Sequence, residues 1–142
     1  MNPARRLLLP LIVATSACAG SRAAGDGPGP GAITDLDWEL AAIDGQPSPL
    51  GAGRRPVTLR FDAASSRGGG FAGCNRYSAP FRISHDSVSF GPAMSTKMAC
   101  TEGMELERRF LVALPSITTF ARADSTLTLN GPSGPLAQFR LR

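Results

Sequence analysis

"GGGFAGCN", Gly68 to Asn75, is the stretch on which the reading of this chain turns. Gly68, Gly70 and Gly73 have the G-x-G-x-x-G spacing of a phosphate-cradling loop, and Cys74 follows at once. A dinucleotide loop follows a strand and opens a helix, whose N-terminus holds the pyrophosphate. Here the glycines run into "CNRYSAP", and Pro80 leaves no room for a long helix. No acidic residue stands about 20 residues onward to hold a ribose. The glycines therefore read as backbone features, placed where a strand must bulge or bend sharply, as in a small barrel.

The same stretch offers a nucleophile, Cys74, but a nucleophile needs a base beside it. The sole histidine, His85, lies in "ISHDS", which reads as a turn between strands. A Cys74–His85–Asn75 site is conceivable and leaves a small thiol-dependent hydrolase as the alternative function. Ser95 and Lys97 are two apart, whereas serine–lysine hydrolases use S-x-x-K. One histidine, with Cys74 and Cys100 far apart in sequence, makes no zinc pattern. The expectation is a protein without enzymatic activity, metal or cofactor.

The N-terminus points to the cell envelope. Arg5 and Arg6 precede the apolar run "LLLPLIVA", which is shorter than the about 20 residues needed to span a bilayer. "TSAC", Thr15 to Cys18, then resembles a bacterial lipobox, in which Cys18 would carry a lipid anchor. Ser16 and Ala17 fit that pattern, and Thr15 departs from it. Cleavage after Ala19, at an A-x-A pattern, is the alternative and would give a periplasmic protein. Residues 1–17 are thus expected to be a signal peptide. Residues 18–33, rich in Gly, Pro and Ala, are expected to be a tether, and 34–142 the folded domain. Ala19 after the cysteine favours the periplasmic face of the outer membrane.

A chain of 142 residues allows one domain, and its 42% hydrophobic share is ordinary. Glycine (16) and proline (12) are abundant, which favours turns and short strands. The formal charge of +4 falls to about +2 when Arg5 and Arg6 leave with the leader. The remaining arginines are scattered in sequence, so no nucleic-acid partner is expected. Beyond Cys18, Cys74 and Cys100 remain as a pair. In an oxidising compartment they can bridge, closing a loop of about 26 residues worth roughly 3.5 kcal/mol. The other reading is two buried free thiols packing as small hydrophobes.

Periodicity supplies the elements. "DWELAAIDG" reads as a strand from Trp38 to Ile43 with a turn at Asp44-Gly45. "PVTLRFD" alternates Val57, Leu59 and Phe61 inward with Thr58 and Arg60 outward. Two short strands follow around the glycines, broken by Pro80, and then "DSVSFG" with Val88 and Phe90 on one face. "TEGMELERRFLVAL" is the one helix, with Thr101 as N-cap and Glu102 and Glu105 in its first turn. Leu106, Phe110, Ala113 and Leu114 share its apolar face, Glu107 and Arg108 point away, and Pro115 ends it. The remainder reads as a three-strand meander with turns near Ala123-Asp124 and at Asn130-Gly131. Trp38, Leu40, Phe61, Phe90, Phe110, Leu114, Leu127, Leu129 and Phe139 form the expected core. Met94 and Met98 are expected to fill it.

"DWELAAIDG", "GGGFAGCNRYSAPF", "FGPAMSTKMACTEGMELERRFLVAL" and "LTLNGPSGPLAQFR" together resemble the META/HslJ domain family. The motif positions are Trp38, Gly73, Cys74, Asn75, Arg76, Tyr77, Thr96, Met98, Ala99 and Cys100. Ser78-Ala79-Pro80 departs from the family, which often has Gly after the aromatic residue. The resemblance implies an α+β, mainly β fold: a compact antiparallel barrel-like sheet with one helix packed across it. It also implies an envelope protein, often lipid-anchored and linked to stress and antibiotic tolerance, and it supplies no catalytic mechanism. The fold resembles that of lipoprotein pilots of secretion systems, which shelter apolar groups. The expected partners are therefore the membrane, through the anchor, and an envelope protein or apolar ligand. If Cys18 carries the anchor, Cys18→Ser should release the protein from membranes. Membrane retention unchanged in fractionated cells would overturn that reading.

Overall fold

The computed structural model describes residues 32–142. The leader, the Cys18 anchor position and most of the tether lie outside the described residues. In chain order the elements are β1 (Asp37–Ile43), β2 (Gln46–Pro47), β3 (Thr58–Asp62), β4 (Arg67–Phe71), β5 (Arg76–Ser84), β6 (Ser87–Phe90) and β7 (Met94–Ser95). The helix α1 (Met104–Ala113) follows, then β8 (Thr119–Ala123), β9 (Thr126–Gly131) and β10 (Gly134–Leu141).

The strands pair antiparallel in the order β10-β9-β8-β6-β5-β4-β3-β1-β2, and β10 also pairs with β1. The sheet therefore closes on itself as a ring, the mainly β, barrel-like arrangement that the family resemblance implied. Alternation fills its interior. Leu59 and Phe61 of β3, Val88 and Phe90 of β6, Leu127 and Leu129 of β9, and Ala137 and Phe139 of β10 are buried. The residues between them along β3, β6 and β10, such as Arg60, Ser89 and Gln138, are exposed. Phe61 packs edge-on against Phe81, with ring centroids 5.1 Å apart, and lies 5.7 Å from Phe90. Register shifts at Leu40/Ala42 in β1 and Pro135/Ala137 in β10 bend the strands around the closure. The seam between β6 and β8 is thin. It pairs Ser87 with Thr119, and Val88 N–H and Phe120 N–H donate to Thr118 O and Asp86 O.

The helix crosses the ring. Phe110 meets Tyr77 of β5 at 5.2 Å and Phe139 of β10 at 6.2 Å between ring centroids. Those two strands lie four steps apart by either route round the ring, so one side chain joins opposite walls. Leu106 and Leu114 are buried beside it, as the helical period predicts. Every residue of the expected core is buried. Ile33, expected at the end of the tether, is fully buried with them, and its carbonyl accepts the Trp38 indole N–H at 3.0 Å.

Five local expectations are corrected. Pro80 does not break a strand: β5 runs through it from Arg76 to Ser84. The Pro80 carbonyl accepts from Gly91 N–H, so its nitrogen faces the same edge, and the one bond it cannot return falls in the gap between β6 and β7, where neither strand continues. Thr101 is not the N-cap, which is Gly103 at φ 87°. A Cβ at Gly103 would lie 2.1 Å from the Gly73 carbonyl, so close packing delays the first helical turn. Glu107 is buried rather than outward. Met94 and Met98 are 71% and 61% exposed and fill no core. Asn130 and Gly131 end β9 and pair with Pro135 and Gly134, which moves the turn to Pro132-Ser133.

Phe110→Ala should cost about 3–5 kcal/mol, through lost packing and the cavity left between opposite walls. Urea unfolding checks this. A loss under about 1 kcal/mol, the range of surface changes, would contradict the placement.

Candidate functional site

The family-motif residues meet at the start of α1. Gly73, at φ 134°, turns the chain out of β4 in a conformation that side chains rarely adopt. A Cβ there would stand 2.7 Å from the Gly103 carbonyl and 3.0 Å from the Glu107 nitrogen. The turn leaves the backbone N–H groups of Cys74 and Asn75 pointing at one acceptor, the carboxylate of Glu107, at 3.0 and 2.5 Å. Asn75 Nδ2 donates to the other Glu107 oxygen at 2.8 Å. Desolvating a carboxylate costs several kcal/mol, and these three donors offset that cost. Glu107 also lies in the first turn of α1, where the helix dipole favours negative charge.

Asn75 completes the junction. Its Oδ1 accepts from Met98 N–H at 2.7 Å and from the Thr96 hydroxyl at 3.0 Å. Its Nδ2 also donates to the Met98 carbonyl at 3.2 Å. Both donors and both acceptor sites of the amide are thus used. Arg76 is exposed and contributes its carbonyl, which accepts Thr96 N–H at 3.1 Å. Ala99 is exposed, and Cys100 bonds to Cys74 with Cα atoms 5.9 Å apart. Tyr77, buried beneath, donates its hydroxyl to the Thr58 carbonyl at 2.9 Å, and burial raises its phenol well above the ordinary range. Trp38, the remaining motif position, belongs to the β1 core.

The structure thus gathers Gly73, Cys74, Asn75, Tyr77, Thr96, Met98 and Cys100 around one polar junction. It does not bring His85 to Cys74. His85 caps the far end of β5, with its ring 3.3 Å from the Ser84 hydroxyl. At about 3.3 Å per strand residue it is roughly 30 Å from Cys74. Sequence reasoning missed Glu107, because helical period alone places it beside the apolar face rather than on it. Two adjacent N–H groups leaving a glycine turn need an acceptor, and an acidic helix start was the available signal.

A separate cleft of about 940 Å³ opens beside the thin β6–β8 seam. Phe81, Val88 and Ile117 form its buried floor, with Ile83, Pro115 and Thr34 at its sides. Arg82 is the one charged residue of its lining. Thr34 places the start of the described chain at the mouth of this cleft.

A closed antiparallel ring plugged by one helix, locked by a Cys-Asn junction, defines a small β-rich domain. The chain belongs to the META domain family, whose model matches residues 31–142. It is similar in structure to a Burkholderia xenovorans protein solved by NMR, with 27% identity and a TM-score of 0.65, covering 94% of this chain and 99% of that one. A second NMR structure is 19% identical, with a TM-score of 0.60 over 77% of this chain and 91% of that one, and shares the fold. No protein with a curated function matches the chain.

Asn75→Ala should destabilise the domain by about 2–4 kcal/mol, since it leaves the Met98 N–H and carbonyl and one Glu107 oxygen without their partner. Urea denaturation of the oxidised protein measures this. A change within about 0.5 kcal/mol would show that water replaces the amide and that the junction does not hold the fold.

Proposed function

We propose that this chain is a non-catalytic, lipid-anchored binding module of the cell envelope whose META domain shelters an apolar group in the cleft beside β6. The observation that carries this reading is the cleft itself. It combines a floor of Phe81, Val88 and Ile117 with one charged lining residue. A volume of about 940 Å³ is in the range of small-molecule sites. The motif residues support the non-catalytic part. Cys74 is held in a disulfide and Asn75 spends its hydrogen-bonding capacity on Met98, Thr96 and Glu107. The Cys18 anchor and the tether would hold the domain at the membrane, where apolar ligands are delivered, in the stress and antibiotic-tolerance setting of HslJ-type members.

A fluorescent fatty acid titrated into the full chain carrying Cys18→Ser tests the proposal. Saturable binding is expected, weakened about tenfold by Ile83→Glu, which puts a charge on the cleft wall. Absence of saturable binding, or binding that Ile83→Glu leaves unchanged, would overturn the cleft as the ligand seat.

A further inference from the structure

The outer surface of the sheet carries a second cleft, of about 670 Å³, on the face of β3, β4, β5 and β7. Its centre lacks a side chain. Gly69 pairs with Arg60 on one side and with Ser78 on the other, and Ser78 pairs in turn with Met94. Neighbouring strands are about 4.8 Å apart, so these four residues form one row across the face with an open floor at Gly69. Arg67 lies two residues back along β4, and Arg76 two residues from Ser78 along β5. Arg60, Arg67 and Arg76 all line the cleft. Arginines that are scattered in sequence are thus collected by the strand register.

Their charges are poorly answered. Arg60 contacts Asp37 at 3.4 Å, an exposed pair. Arg67 donates to a neutral partner, the Ser78 hydroxyl, at 2.8 Å. Arg76 has no ion pair among the described residues, and it serves the junction through its carbonyl alone. The one carboxylate in the lining, Asp62, turns to Ser65 N–H at 3.0 Å. That bond holds its carboxyl below the usual range. Three arginines therefore line one concave surface against one carboxylate, Asp62, which stands across from Arg67 in the register and feels the charge of Arg60. Guanidinium groups match phosphate oxygens in pairs, and the hydroxyls of Ser78 and Ser95 add donors around the floor. Met94, 71% exposed at the end of the row, offers an apolar contact for whatever body carries the phosphate.

We propose that this face binds a phosphate ester, with Arg67 and Arg76 holding the phosphate over Gly69 and Met94 covering the attached group. The site is distinct from the apolar cleft beside β6 and does not depend on it. Its ligand is either a free phosphorylated molecule or the headgroup of a phospholipid. The test uses the full chain carrying Cys18→Ser, so that no acyl group contributes. Glycerol 3-phosphate is titrated by calorimetry, and phosphatidylglycerol vesicles are compared with phosphatidylcholine vesicles by co-sedimentation. Binding should weaken at least about tenfold in Arg67→Gln and in Arg76→Gln, the loss of a charge-assisted hydrogen bond. Arg140→Gln, an exposed change on β10, should leave it unchanged. Binding of glycerol 3-phosphate with that pattern assigns a free ligand. The same pattern with phosphatidylglycerol vesicles alone assigns a headgroup. No binding of either probe, or equal losses in Arg140→Gln, would overturn the proposal. Urea midpoints near the parent value in all three variants show that the losses come from the surface and not from unfolding.

Discussion

The carboxylate of Glu107 is the acceptor on which the middle of this molecule depends. The chain leaves β4 through Gly73 with two N–H groups facing inward, and the ladder supplies neither with a partner. Glu107 takes both, and so ties the exit of one strand to the first turn of the helix. From that tie follow the position of Asn75, the reach of its amide to Met98, and the disulfide that brings Cys100 to the same point. The helix is thereby fixed at one end, and Phe110, one turn further on, is held between opposite walls of the ring.

The fold was legible wherever one residue's environment depends on its neighbours along the chain. Leu59 and Phe61, or Leu127 and Leu129, alternate because a half-buried strand must, and they are buried. The cysteine pair followed from parity and compartment, although free thiols stayed open until the two residues were seen joined. What escaped reading was set by contacts between distant segments. Gly103 displaced Thr101 as the cap because the Gly73 carbonyl presses against it. Met98 looked like core because its residue type is apolar, whereas its backbone is what Asn75 uses. Pro80 looked like a break because a strand's hydrogen-bonding sides cannot be seen before its neighbours are known.

The two clefts obey different rules. The one beside β6 is visible as a gap in packing, where buried apolar side chains reach solvent. The one over Gly69 exists because the register lines up three arginines that composition alone would call dispersed. The first uses none of the motif residues by which the family is known, whereas the second takes Arg76 and Thr96 from among them. Cys74, Asn75, Met98 and Cys100, in contrast, hold the scaffold.

A ring opens at its weakest stave. Between β6 and β8 the ladder is reduced to one paired position and two flanking bonds, while β9 and β10 share a long register. The apolar cleft lies along that stave. Parting it breaks few backbone bonds and leaves the disulfide, the Glu107 tie and the Phe110 bridge untouched. Parting there would expose the interior from the side without dismantling the domain, much as a cask is tapped at the bung and not by lifting its hoops. Amide exchange along the seam would then be faster than global unfolding allows, and a guest larger than the resting cleft could be admitted.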